Sequence, residues 1–172
     1  MSARSNGRSP LGKAKSRQPD MYGMPGHLIR RMHQASQAIF DAEVNAAGFD
    51  LTPVQFAALT MIDAIPGLDQ ASLATAISFD RATTGGVIDR LEAKGLVRRE
   101  IDQTDRRMRR LHLELAGKAV LSVATPIVKR VQKVMLRGLT AKEQEVLLLL
   151  LHKALDSVGA ASGGVARSEM QR

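Results

Sequence analysis

The chain has no cysteine and no tryptophan, and its aromatic residues are four Phe and one Tyr. Without a thiol, disulfides, cysteine-ligated zinc, thiol nucleophiles and thiol-based peroxide sensing are all excluded. So few aromatics argue against a single-stranded nucleic acid partner, because such sites stack bases on aromatic platforms. No uninterrupted apolar run in the 172 residues is long enough to span a membrane. The opening MSARSNGRSPLGKAKSRQ has basic residues but lacks the apolar segment of a secretory signal. A cytoplasmic location and no membrane partner are therefore expected. The histidines His27, His33, His112 and His152 are scattered without metal-ligand spacing. There is also no G-x-S-x-G, P-loop or dinucleotide fingerprint. The expectation is no metal, no cofactor and no enzymatic activity.

Positive charge is in excess: 25 basic against 17 acidic residues give a formal net charge of +8. Such a balance favours polyanionic partners, nucleic acid ahead of an anionic membrane. The excess is concentrated. Arg98, Arg99, Arg106, Arg107, Arg109 and Arg110 lie close together, against only Glu100, Asp102 and Asp105. With aromatic platforms absent, duplex DNA fits this charge best.

Residues 1–20 are polar and basic without periodicity and read as a disordered arm; 159–172 read as a flexible tail. Between them Leu28, Ile29, Met32, Ala35, Ile39, Phe40 and Val44 recur at helical spacing, and Gly48 ends that first helix. Thr52-Pro53 is a helix start, and VQFAALTMIDAI stops at Pro66-Gly67. Asp69 caps a short third helix and Asp80 a fourth, which ends at Gly95. The period then shortens to two: LVRREI and RLHLEL form a hairpin around the charged DQTDRRMR. A long helix from Gly117 contains Pro126, where a bend is expected. Thr140 with Glu143 forms a capping box for the last helix. The fold class is mainly α with a small β-hairpin wing. It comprises a first helix (25–48), a winged helix-turn-helix (50–116) and two further helices (117–158), the flanking helices being left for another role.

In a helix-turn-helix the second helix enters the major groove with its first turn against base edges and phosphates. Here that turn presents Arg81, Thr83 and Thr84, which suit guanine, phosphate or a thymine methyl. Val87, Ile88 and Leu91 face the core. Gly85 and Gly86 each cost a helix about 1 kcal/mol relative to alanine. Two explanations stand open: close approach of the backbone to DNA, with Gly86 the DNA-facing residue, or tight packing on the preceding helix. In the hairpin, Arg106, Arg107 and Arg109 suit a narrow minor groove, with Asp105 orienting a neighbouring arginine. The alternative is a solvated charged loop.

RATTGGVIDRLEAKGLVRREIDQTDRRMRRLHLELAGKAVL resembles the recognition helix and wing of the MarR family of bacterial transcriptional regulators. The specific elements are DRLE-x-K-G-L-V-x-R followed by D-x-x-D-R-R, and LTPVQFAAL resembles the family's second helix. The resemblance covers about Pro25 to Val158. It implies an obligate homodimer, with the first and last two helices interlocked, bound to double-stranded DNA bearing an inverted repeat. It also implies Arg81, Thr83 and Thr84 in the major groove and Arg106 and Arg107 at the wing. One departure is Glu114, where the family has a capping threonine, so the start of the long helix is expected to shift. Leu147 to Leu151, apolar on all sides of a helix, independently favour a dimer core over a buried helix of a monomer.

Proteins resembling this family often release DNA when a small anionic, frequently aromatic, ligand binds. The chain's likeness to regulators of aromatic-acid catabolism suggests a small aromatic carboxylate or its coenzyme A thioester as effector. On the first helix Arg30, His33, Ser36 and Phe40 either line such a pocket or are polar groups at a core or interface. The resulting expectation is a homodimeric, sequence-specific repressor responsive to a ligand. A constitutive architectural DNA binder is the alternative.

Overall fold

In a computed structural model, the chain is described from Asp20 to Glu169, with side chains from Met21 to Val158. The basic arm expected over 1–20 lies outside the described residues, except for Asp20, which opens a 3-10 turn, Asp20–Gly23. The elements that follow are α1 (Pro25–Ala46), α2 (Pro53–Ala64), β1 (Leu68–Asp69), α3 (Gln70–Ala76) and α4 (Arg81–Ala93). They are completed by β2 (Val97–Ile101), β3 (Arg109–Leu113), α5 (Leu115–Met135) and α6 (Ala141–Glu169). The chain divides into two compact units, one ending at Gln34 and the other beginning at Ala35. No helix among the described residues is long and apolar enough to cross a membrane.

Local chemistry sets most boundaries. Thr52 caps α2 and forms a reciprocal box with Gln55, while Pro53 occupies the first helical position, where its missing N–H is no loss. After α4, Gly95 takes φ +66, and Leu96 N–H returns to Leu91 O at 3.0 Å, closing the helix as glycine allows. Thr140 and Glu143 form the expected box before α6.

The structure adds a strand that the pattern did not reveal. The two residues of β1 pair antiparallel with β3, giving the sheet order β1-β3-β2. Two residues carry no alternation, so no period betrays them. Helix α5 begins at Leu115, two residues before Gly117, with Glu114 at the N-cap making no side-chain cap bond. The cap position is therefore kept and only its bond is missing: the Glu114 carboxylate pairs with Arg98 at 3.1 Å. Gly117 is required on packing grounds, since a Cβ there would collide with the Leu96 carbonyl. The backbone of α6 continues to Glu169 through the stretch expected to be a loose tail. No proline interrupts it, and its alanines favour helix.

The core of the second unit lies where α2, α3 and α4 meet the sheet and α5. Leu59, Ile62, Leu73, Val87, Ile88, Leu91, Val97 and Leu111 are nearly or fully inaccessible, each burial contributing about 2 kcal/mol. Phe40 and Val44 of α1, and Leu121, Ala124, Ile127 and Val131 of α5, extend it.

Candidate nucleic-acid interface

The starts of α3 and α4 are each fixed by a carboxylate. Asp69 accepts from Ala71 N–H (2.9 Å), Ser72 N–H (3.0 Å) and the Ser72 hydroxyl (2.6 Å). Asp80 accepts from Thr83 N–H (2.8 Å) and the Thr83 hydroxyl. These bonds, those from the Ser72 and Thr83 hydroxyls foremost, hold both carboxyls below the usual carboxylate range. Ser78 takes a left-handed φ of +57 between the two helices, so the chain reverses there without glycine.

Arg81, Ala82, Thr83, Asp89, Arg90 and Ala93 are exposed on α4, and Gly86 is half-buried among them. Ala82, Gly86, Arg90 and Ala93 recur at helical spacing opposite Val87, Ile88 and Leu91. Arg90 belongs to this outward face and is absent from the sequence expectation, although its place four residues after Gly86 would have revealed it. Thr84 requires a correction. It is fully buried, and its hydroxyl donates to Asp80 O at 2.8 Å. At spacing three and four from Val87 and Ile88 it falls on the core face, so its side chain cannot meet a groove. Thr83 stays outside, with its proton directed to Asp80 and its lone pairs available.

The glycines separate. A Cβ on Gly85 would stand 3.0 Å from Gln70 Nε2, which donates to Arg81 O at 3.3 Å. Packing of α3 on α4 therefore accounts for Gly85. Among the described residues, a Cβ on Gly86 would meet nothing closer than an Arg90 terminal nitrogen at 3.9 Å, so none of them requires glycine there.

The six clustered arginines also sort by partner. Arg99 is held inside by Glu92 and Asp89, both at 2.5 Å, and ties β2 to α4. Arg98 pairs with Glu100 (2.6 Å) and Glu114. Arg110 pairs with Asp102, and Arg109 folds back on Arg106 O at 2.8 Å. Arg106 and Arg107 project from the wing turn with no side-chain partner among the described residues, as do Arg81 and Arg90 on α4. The role expected of Asp105 is corrected too: its carboxylate accepts the Arg107 backbone N–H at 2.9 Å and holds no guanidinium. The carboxylate that grips an arginine is Asp102, three residues earlier.

Of the ligand residues expected on α1, Arg30 and His33 belong to the first unit and Ser36 and Phe40 to the second. Phe40 is part of the core, because its ring lies on the apolar stripe. Ser36 is half-buried and His33 exposed. Arg30 bonds Gln34 at 3.2 Å and His27 Nδ1 at 3.5 Å, while His27 Nε2 is out of water contact with no partner. In the second unit two cavities share the walls Asp63 and Lys118. One, of about 350 Å³, is lined by Thr60, Leu121, Ser122 and Thr125; the other, of about 250 Å³, by Ile62, Pro66, Arg98, His112 and Leu113.

The model of the MarR family matches residues 51–108. The transcriptional regulator HosA of Escherichia coli O127:H6 is 35% identical over 131 residues, covering 76% of this chain and 94% of its own. The repressor NicR of Pseudomonas putida is 33% identical over 138 residues, covering 80% and 86%. Among solved structures, PcaV of Streptomyces coelicolor with its natural ligand superposes with TM-score 0.75 at 32% identity, over 81% of this chain and 97% of that one. BpsR of Bordetella bronchiseptica, described as regulated by 6-hydroxynicotinic acid, gives 0.73 at 30%, over 77% and 94%. The repressor CouR bound to a 23-mer DNA duplex gives 0.75 at 28%, over 83% and 99%.

Proposed function

This chain belongs to the MarR family of DNA-binding transcriptional regulators, which are not enzymes, and on that premise we propose that it is a homodimeric repressor released from an inverted-repeat duplex by a small hydroxylated aromatic carboxylate. The carrying observation is the sorting of cations. Among the described residues, Arg98, Arg99 and Arg110 all have acidic partners, whereas Arg81, Arg90, Arg106 and Arg107 have none. Phosphate and guanine edges are the partners such free guanidinium groups fit. Arg81, Arg90 and Thr83, with Gly86 permitting close approach, serve the major groove. Arg106 and Arg107 serve the flanking minor groove, and Arg109 shapes their turn while staying exposed.

Dimerisation is supported by α6, which among the described residues supplies none to the buried core and leaves Val146, Leu148, Leu149, Leu150 and Leu155 exposed. An apolar groove of about 450 Å³ along it is lined by Leu139, Val146, Leu147 and Leu150. A two-fold pair of such helices places two wings on two half-sites.

The effector reading rests on the two cavities that share Asp63 and Lys118. Their volumes suit one substituted ring. Lys118, with no acidic partner among the described residues, offers a cation to a carboxylate, and Asp63 accepts from a ring hydroxyl. BpsR, whose DNA binding is regulated by 6-hydroxynicotinic acid, supports the same class, and PcaV supports ligand binding as such. The test is fluorescence anisotropy on the duplex upstream of this protein's own gene, with a panel of hydroxylated aromatic acids that includes 6-hydroxynicotinic acid. Binding should be tight and reversed by one of the acids, and Lys118→Ala should keep the affinity but lose the reversal. Tight binding that no acid reverses in either protein would remove the effector. Equal affinity for random duplex would favour the architectural reading.

A further inference from the structure

Arg110 lies in the arginine cluster yet is turned inward, with 36% of its side chain exposed. Its Nε donates to Asp102 Oδ2 at 2.5 Å and its Nη1 to Gly67 O at 3.2 Å. These partners belong to two different parts of the lobe. The Asp102 side chain is only 10% exposed, and its other oxygen accepts Thr104 N–H (2.7 Å), the Thr104 hydroxyl and Asp105 N–H (2.9 Å). Those bonds shape the turn from which Arg106 and Arg107 project. They also hold the Asp102 carboxyl far below the usual range, the Thr104 hydroxyl contributing most.

Gly67 stands at the other end. Its φ of +83 favours glycine, and its N–H donates to Leu111 O at 2.9 Å. Two residues on, Asp69 pairs with Arg110 in the β1–β3 ladder and caps α3. The next residue, Gln70, reaches Arg81 O in the first turn of α4. One guanidinium thus stands between the turn that carries the wing arginines and the strand from which the helix-turn-helix starts.

We infer that Arg110 is a positioning residue that sets the wing against the recognition helix, so that Arg107 and Arg81 meet one duplex together, and that it does not itself touch phosphate. The inference rests on the wing meeting DNA, as proposed above. A lysine would keep the charge but not the geometry, because one ammonium on a flexible stem does not reproduce a rigid fork that reaches Asp102 and Gly67 at once.

The two roles, contact and strut, predict opposite results. The probe is a duplex selected by the wild-type protein from a random-sequence pool, and affinity is measured over a salt series. As a strut, Arg110→Lys weakens binding about tenfold. As a phosphate contact, it would bind nearly normally. Asp102→Asn makes the wing one charge more positive, so simple electrostatics predicts tighter binding; the strut predicts weaker. Arg107→Ala serves as the control and should flatten the slope by about one unit. Thermal melts of each variant confirm that the fold is kept, and either of the two strut variants suffices if the other unfolds. Normal or tighter binding by Arg110→Lys and Asp102→Asn beside a weakened Arg107→Ala overturns the strut alone. An Arg107→Ala variant indistinguishable from wild type overturns the wing reading beneath it.

Discussion

On α4, Val87, Ile88 and Leu91 are each no more than 1% exposed, whereas on α6 Leu148, Leu149, Leu150 and Leu155 are all more than half exposed. Both helices carry helix-forming sequences with sound N-terminal caps. They differ in where their apolar side chains find cover. The winged lobe closes on itself: α4 is covered by α2, α3 and the sheet, its acids hold its own arginines, and only chosen cations are left outside. Helix α6 gathers apolar surface left uncovered among the described residues. The lobe is held by its own contacts, whereas the exposed face of α6 is the surface on which the proposed dimer rests.

The largest effect should therefore come from α6. Leu150→Glu puts a charge on that apolar groove, and burying an unpaired carboxylate in an interface is prohibitive. Sedimentation should show monomers, and operator affinity should fall about a hundredfold or more as the two half-sites are no longer bound together. The far-UV spectrum should still report a folded lobe. A Leu150→Glu protein that remains dimeric and binds normally would mean that α6 is covered in some other way.

Much of this contrast could be read from the residues. Helix order, the caps at Thr52, Asp69, Asp80 and Thr140, the hairpin and the core face of α4 all follow from local periodicity and capping chemistry, which act within a few residues. What escaped did so for different reasons, some local and some not. Strand β1 is too short to show alternation and exists because β3 offers an edge. Thr84 looks like a groove residue by type, but helical phase places it with Val87 and Ile88. Asp105 and Asp102 are equally acidic and equally near the arginines, and only the fold of the turn decides which grips one.

The second effect is smaller and distinguishes the outer face of α4 from its inner face. Arg81→Ala should lower the ratio of operator to random-duplex affinity about tenfold, the loss expected for one bidentate base contact. Thr84→Val retains the volume of a fully buried side chain and removes only its bond to Asp80 O. It should reduce the melting temperature and leave the ratio unchanged. A changed ratio in Thr84→Val would return that residue to the interface, and equal losses on both duplexes in Arg81→Ala would make Arg81 a phosphate contact only.

The smallest expected effect concerns the adjacent glycines, and here stability and binding should move in opposite directions. Gly86→Ala adds a methyl into open space and replaces the poorest ordinary helix former with the best, so the fold should gain up to about 1 kcal/mol. Gly85→Ala gains the same propensity but presses on Gln70 Nε2, which must shift and weaken its bond to Arg81 O. Its net stability change should be close to zero, since such a bond is worth about 1 kcal/mol. If Gly86 is present so that the helix backbone can sit close to DNA, Gly86→Ala is the more stable protein and the weaker binder. Melting curves and operator titrations on the two variants decide it. A Gly86→Ala protein that is stabilised and binds with undiminished affinity would show that the methyl is accommodated at the groove as well as in the fold, leaving Arg81, Thr83 and Arg90 to read the operator without a specially close approach.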